Sequence, residues 1–308
     1  MARLPENSPS LAGHDGNPRR IAGVVVLYRP GEEVAANISS YIGQVDILFA
    51  IDNSEKEAER TAIRLRQLGN VIYIANGANL GVARALNMGA RLALDEGCDF
   101  LLTMDQDSRA NPGMVKSMLE VFDAVAPGRI GIVAPFLVTR PGEKTEEEAD
   151  CQEVATAMTS GALLDLRAYQ VAGPFLDELF VDFVDIEYCL RLRAGGFRII
   201  RANRAVLEHR VGDIMRISLV AKDIYLTSHT PLRKYYKTRN RFFVAKKYRT
   251  VFPSFCRRDR IRFALELMRL LFFEGDKREK LAMMLRGYGD FRKGRMGRYD
   301  AGAGGRSP

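Results

Sequence analysis

Apolar and polar residues come in blocks whose lengths separate strands from helices. Residues 21–28 (IAGVVVLY) form an unbroken apolar run, as in a strand buried on both faces. Arg29-Pro30-Gly31 ends it, and helical spacing follows over 33–42. Residues 46–51 (DILFAI) predict a second strand ending on Asp52-Asn53-Ser54, then a helix over 57–68 closed by Gly69. A third strand at 71–75, a helix at 82–95 stopped by Gly97, and a fourth strand at 100–104 follow. That strand runs into Asp105-Gln106-Asp107-Ser108, and Asn111-Pro112 opens another helix, with proline in a tolerated first-turn position. Such a βαβαβαβ order predicts a mostly parallel sheet between helices. Ligands of such sheets bind beyond the carboxyl ends of the strands, and polar residues gather at those predicted ends: Asp52, Asn53, Asn76, Asn79, Asp105 and Asp107.

The second half changes character. A strand is predicted at 130–138, an exposed charged loop at 140–153, and a further segment at 162–166 after Thr159-Ser160-Gly161. A turn at 173–175 precedes a helix at 184–193 closed by Gly195-Gly196, and two short strands lie near 197–200 and 205–208. Beyond Pro231 the pattern is helical and amphipathic through Met284. The chain therefore divides into a flexible leader (1–19), a catalytic α/β domain (20–230), a basic amphipathic helical extension (231–293) and a flexible tail (294–308).

Charge and cysteine content sharpen this. The 308 residues are 47% apolar and carry a net charge of +8, a globular composition with a basic bias. From Leu232 to Arg262 there are twelve Lys/Arg against one acid, Asp259, which suits anionic partners. The helices at 232–248 and 260–273 are thus candidates for lying on an anionic membrane face; a cap packed on the core is the alternative. Cys98, Cys151, Cys189 and Cys256 form no CxxC pair and read as buried thiols. With no signal-type apolar region at its start and no apolar run of about 18 residues, the chain is expected in the cytoplasm, peripheral to the inner face of the plasma membrane. Nothing matches a nucleic-acid-binding motif, so no nucleic-acid partner is expected, and the oligomeric state is not legible.

Each candidate site has a bland reading beside it. Asp105 and Asp107 after a buried strand offer hard oxygen ligands to Mg²⁺ or Mn²⁺, but the same residues suit a solvated turn. Asp52 could take a ribose hydroxyl or a base N–H, or make an Asx-turn. The stretch 76–87 (NGANLGVARALN) could let its glycine backbone approach a ligand, or only start a helix. It is not GxGxxG, which argues against a dinucleotide-binding dehydrogenase. Asp182, Asp185 and Glu187 suit the helix dipole, or supply a base for an acceptor hydroxyl. His209 is a structural histidine or a metal or diphosphate ligand.

Taken in order, these pieces resemble the GT-A family 2 glycosyltransferases, in particular their bacterial rhamnosyltransferase branch. The resemblance runs from Ile21 to Tyr288 and adds Asn87-x-Gly89, Thr159-Ser160-Gly161, Asp182-x-x-Asp185-x-Glu187, His209-x-x-Gly212 and Tyr235-Tyr236-x-x-Arg239-Asn240 to the strand-end motifs. It implies a GT-A fold with a C-terminal helical extension. It implies donor contacts from Tyr28, Asp52, Asn79, Gly81, Arg84, Asp105, Gln106 and Arg239, with Asn240 beside the last. Asp107, with Asp105 and His209, is implied to hold the metal. Asp185 aligns with the general base; Val184 stands where the family more often has Glu, which leaves Asp182 and Glu187 as rivals. The implied reaction is inverting transfer of L-rhamnose from dTDP-L-rhamnose to a hydroxyl of a surface glycan or a polyprenyl-diphosphate-linked acceptor. The competing readings are a nucleotidyltransferase that makes a nucleotide sugar, disfavoured by the poor phosphate cradle 29–33 (RPGEE), and a non-catalytic nucleotide-binding module.

Overall fold

The computed structural model describes residues 19–56, 59–125, 129–139, 149–209, 214–219, 222–227 and 229–300, with backbone alone at 209, 214–219 and 222–227. The expected leader through residue 18, most of the loop 140–153, Gly212 and the end of the tail lie outside these residues. The chain runs through β1 (Ile21–Leu27), α1 (Val34–Ser39), β2 (Ile47–Asp52), α2 (Glu59–Arg66), β3 (Val71–Ala75), α3 (Val82–Asp95), β4 (Phe100–Asp105), β5 (Ser108–Ala110) and α4 (Met114–Ala124). Next come β6 (Ile130–Val138), β7 (Cys151–Glu153), β8 (Ala162–Asp165), α5 (Leu166–Ala172), a 3₁₀ turn (Asp177–Leu179), α6 (Val184–Ala194), β9 (Arg198–His209), β10 (Ile214–Leu219) and β11 (Lys222–Thr227). Three helices end it: α7 (Pro231–Tyr248), α8 (Pro253–Phe273) and α9 (Lys277–Arg292).

The main sheet has the order β3-β2-β1-β4-β8-β6-β9-β5, with β7 also on β9. From β3 to β4 it is parallel, as the alternation of strands and helices predicts. Then β8 enters antiparallel between β4 and β6, so the sheet is mixed. The two short strands expected near 197–200 and 205–208 are one strand, β9, whose pairing with β6 shifts register between Pro135 and Phe136. The β10–β11 hairpin had no counterpart in the sequence reading.

Period-two alternation divides the core between the two faces of the sheet. Val25, Leu27, Leu48, Phe100 and Leu102 meet Met114 and Met118 of α4 on one side. Val24, Phe49, Ile51 and Leu101 meet Leu86 of α3 and Tyr188 and Leu192 of α6 on the other. Gly89 lets α3 lie against β1, since a Cβ there would fall 2.4 Å from Val24. Of the cysteines, Cys98, Cys189 and Cys256 are buried, Cys151 is half-buried, and all four are thiols.

In register, Leu27 of β1 lies beside Asp52 of β2, and Val26 beside Asp105 of β4. The carboxyl ends of the three central parallel strands therefore open on one rim. The C-terminal helices do not behave alike. Helix α7 is packed inward, burying Tyr235, Tyr236, Arg239, Val244 and Tyr248, while α8 buries only Cys256, Asp259 and Leu270. Residues 294–300, expected to fray, fold back instead: Gly297 donates its N–H to Glu178 O at 2.7 Å, and Tyr299 packs edge-on against Tyr235.

Candidate active site

The rim is organised around the turn after β4. Gln106 binds both backbone groups of Tyr28: its Oε1 accepts the Tyr28 N–H at 2.9 Å, and its Nε2 donates to Tyr28 O at 3.3 Å. Asn37 donates to Gln106 O at 2.9 Å. Gln106 thus ties the ends of β1 and β4 together and holds the carboxylates on either side of it. Ser160 braces the turn from below. Its buried hydroxyl accepts the Asp105 N–H at 3.3 Å and lies 2.7 Å from the Ser108 hydroxyl. Gly161 donates its N–H to Thr103 O at 2.7 Å. Sequence reasoning marked Thr159-Ser160-Gly161 without a role; the signal was a small hydroxyl residue in an otherwise apolar stretch.

Asp105 and Asp107 are half-buried on this rim. Strand β5 pairs antiparallel with β9 so that Ser108 stands opposite His209, which places the His209 backbone next to the Asp-Gln-Asp turn. Among the described residues no three His, Cys, Asp or Glu groups converge on one point. Two carboxylates one residue apart still match the oxygen preference of Mg²⁺ and Mn²⁺, which keep several positions for water and phosphate oxygens.

Asp185 lies in the first turn of α6. Its Oδ1 accepts the Ile186 N–H at 2.8 Å. Burial pushes its carboxyl up to about 6, with the charges of Asp182 and Asp105 adding to the effect. The same interaction places Asp105 and Asp185 within electrostatic reach of each other. Asp182 is also pushed upward by burial, against the pull of Arg233, whose Nε lies 3.2 Å from its Oδ1.

Other sequence candidates have structural partners. Glu187 is fully buried and bonded to Arg191 at 2.9 Å, Lys247 at 2.8 Å and the Tyr248 hydroxyl at 2.8 Å. Arg239, expected at a diphosphate, is also fully buried. Its guanidinium donates to Asn240 Oδ1 at 3.0 Å, Gly297 O at 2.6 Å, Leu179 O at 3.2 Å and Glu178 O at 3.4 Å. Asn240 Nδ2 donates to the carbonyls of Leu179, Val181 and Asp182 at 2.9, 2.7 and 2.8 Å. The pair therefore clamps the loop that delivers Asp185. Asp52 is buried at the end of β2; it accepts the Ser54 N–H at 2.8 Å and the Tyr73 hydroxyl, making an Asx-turn. Asn79 accepts the Gly81 N–H at 3.0 Å. Gly81 has φ +87° and approaches Phe180 so closely that a Cβ would lie 2.7 Å from Phe180 O, so its backbone faces the clamped loop. Arg84 is exposed on the first turn of α3, and Tyr28 is exposed at the rim.

Comparison with known proteins agrees with this architecture. Residues 24–156, which hold the parallel half of the sheet and the Asp-Gln-Asp turn, match the profile described as Glycosyl transferase family 2. Over that segment the chain resembles glycosyl transferase family 2. It is 27% identical over 246 residues to a dTDP-rhamnosyl transferase, RfbF, of Shigella flexneri, a match covering 74% of this chain and 80% of that one. Among solved structures, S. aureus TarS 1–349 in complex with UDP-GlcNAc superimposes with a TM-score of 0.54 at 13% identity, covering 90% of this chain and 81% of that one. GalNAc-T7 with UDP, GalNAc and Mn²⁺ gives a TM-score of 0.55 at 12% identity over 76% of this chain, which spans about half (48%) of that protein. These structural likenesses establish the GT-A fold.

Proposed function

We propose that this chain is a family 2 glycosyltransferase that moves a sugar from a nucleotide-sugar donor with inversion, Asp185 taking the proton of the acceptor hydroxyl. The placement of Asp185 carries the reading: it lies in the first turn of a helix within electrostatic reach of Asp105, its carboxyl held up at about 6. A carboxylate titrating there is ionised at neutral pH yet basic enough to accept a proton as the hydroxyl attacks. The acceptor oxygen bonds to the anomeric carbon as the bond from that carbon to the diphosphate oxygen breaks. The proton goes to Asp185 and the nucleoside diphosphate carries away the electron pair. One displacement needs no covalent glycosyl-enzyme.

Asp107, with Asp105 and His209, would hold Mg²⁺ or Mn²⁺, whose charge would stabilise the departing diphosphate. The Mn²⁺ in GalNAc-T7 supports this assignment. Gln106 and Tyr28 form the rim against which the donor nucleotide would lie. The donor assigned is dTDP-L-rhamnose, supported by the name of the Shigella relative, and the acceptor is a hydroxyl of a bacterial surface glycan or its lipid-linked precursor.

Asp185→Asn is expected to bind the nucleotide sugar with unchanged affinity in a thermal-shift titration, while transfer falls on the order of 10²-fold or more. Transfer close to wild type would move the base elsewhere. In the same titration, dTDP-L-rhamnose should raise Tm more than UDP-GlcNAc; the reverse order overturns the donor assignment and leaves the base untouched.

A further inference from the structure

Helix α8 carries its apolar residues on the outside. Ile261, Leu265, Met268 and Phe272 are 57%, 58%, 53% and 70% exposed. Their spacing of four, three and four residues puts them on one ridge along the helix. A soluble surface helix normally turns such a ridge inward, and α7 does so. On α8 the inward positions are taken by Cys256, Asp259 and Leu270.

Charge on the same helix is sorted in the opposite sense. Its two acids, Asp259 and Glu266, both turn onto Arg241: Arg241 Nε lies 3.3 Å from Asp259 Oδ1, and its two terminal nitrogens lie 3.0 Å from the two Glu266 oxygens. Arg257, Arg258, Arg260 and Arg262 remain exposed. Beside the start of α8, a groove of about 600 Å³ opens between α7 and α9. Its floor includes the rings of Phe242, Tyr288 and Phe291, with Phe242 4.8 Å from Tyr288 and 5.8 Å from Phe291. Its rim carries Lys246, Arg249, Arg260 and Arg292, with no acid among the lining residues.

We propose that the α8 face seats on an anionic lipid bilayer, the Ile261–Leu265–Met268–Phe272 ridge entering the acyl boundary and the groove beside it receiving a phospholipid phosphate on its cationic rim and apolar chain on its aromatic floor. An apolar ridge flanked by exposed arginines is the pattern of a helix lying in the plane of a membrane interface. Each arginine near an anionic surface adds about 1 kcal/mol, roughly fivefold in affinity. A second copy of the chain fits the charge less well. Two α8 faces meeting about a two-fold axis would bring arginine against arginine, with the helix acids already engaged by Arg241.

The test is co-sedimentation of the whole chain with vesicles of phosphatidylglycerol mixed with phosphatidylcholine, and with vesicles of phosphatidylcholine alone. The chain is expected to partition onto the mixed vesicles at least tenfold more strongly, and to lose that preference as salt is raised. Leu265→Glu with Phe272→Glu, and separately Arg249→Glu with Arg260→Glu, should each reduce partition more than tenfold. All four positions are exposed, so Tm should stay unchanged. Undiminished partition of either double variant overturns the proposal. So does a concentration-dependent dimer that Leu265→Glu with Phe272→Glu dissolves in the absence of vesicle binding. Partition is read without any sugar transfer, so its failure leaves the role of Asp185 standing.

Discussion

A carboxyl raised within the fold destabilises that fold whenever it is ionised. Asp185 shifts from an ordinary value of 3.8 to about 6. The native state therefore binds its proton more tightly than the unfolded chain does. Its contribution is favourable at low pH and is lost as pH rises from about 4 through 6. The displacement corresponds to roughly 2–3 kcal/mol above pH 6. Asp185→Asn keeps an oxygen for the Ile186 N–H and removes the charge, so it should raise Tm at pH 7.5 and have little effect at pH 4, as read by calorimetry. A variant that is inactive yet more stable would mark a residue kept for chemistry. With Asp185 as the proposed base, the same shift sets the expected rate profile. kcat/KM should rise with pH through an acid limb near 6, because only the ionised form accepts a proton. Asp182→Asn removes one of the charges that hold Asp185 up, so the limb should move to lower pH; an unmoved limb would separate the two carboxyls.

At the scale of elements, the segment between the 3₁₀ turn and α6 holds three of the five non-glycine residues with positive φ among the described residues. Phe180, Asp182 and Phe183 all have positive φ, +65°, +57° and +65°, without being glycine. Each such residue costs on the order of 1–2 kcal/mol. The carbonyl bonds from Arg239 and Asn240 offset that cost and fix where α6 begins. Arg239→Lys cannot reproduce a planar set of donors. It should lower Tm, corresponding to about 2–3 kcal/mol, and lower kcat with the donor KM unchanged. A raised donor KM at unchanged Tm would instead return Arg239 to the diphosphate. These residues also show where the sequence was readable and where it was not. Asp105, Asp107 and Asp185 could be picked out because the pattern sets carboxylates at strand and helix ends, and the structure puts Asp105 and Asp185 within electrostatic reach of each other. Glu187 and Arg239 stood in the same motifs, but their roles depend on which buried groups they satisfy, and spacing carries no record of that. Asn87 is similar: it bonds both backbone groups of Phe175 at 2.8 Å and so holds the turn before α6.

Across the whole molecule, the parallel half was legible because each strand there is a long apolar run followed by its own helix. The reversal at β8 was not: a four-residue apolar strand reads the same in either direction. Nor could periodicity separate α7 from α8, since both are basic and amphipathic; only the packing of α9 along α7 decides which ridge is covered. That packing is close enough that a Cβ on Gly287 would fall 2.5 Å from Tyr235 O. The segment after α9 completes the arrangement. Gly297 O accepts from Arg239, and the Tyr299 N–H donates to the Tyr236 hydroxyl at 2.7 Å. Ending the chain after Lys293 should therefore lower both Tm and kcat, whereas ending it after Asp300 should change neither; equal behaviour of the two would show that the fold-back contributes nothing.

That fold-back also sets an order in time. Residues emerge from the ribosome from the N-terminus onward, and the parallel half of the sheet can assemble long before α7 exists. The loop before Asp185 is only half secured until residue 297 has been made, because Arg239 and Glu178 both wait for Gly297. A nascent chain therefore brings Asp185 into its final position only after residue 297 has been made. Transfer activity in a stalled-ribosome series should appear as a step once residue 297 is included, and chains ending before it, though their parallel sheet is formed, should not turn over a nucleotide sugar.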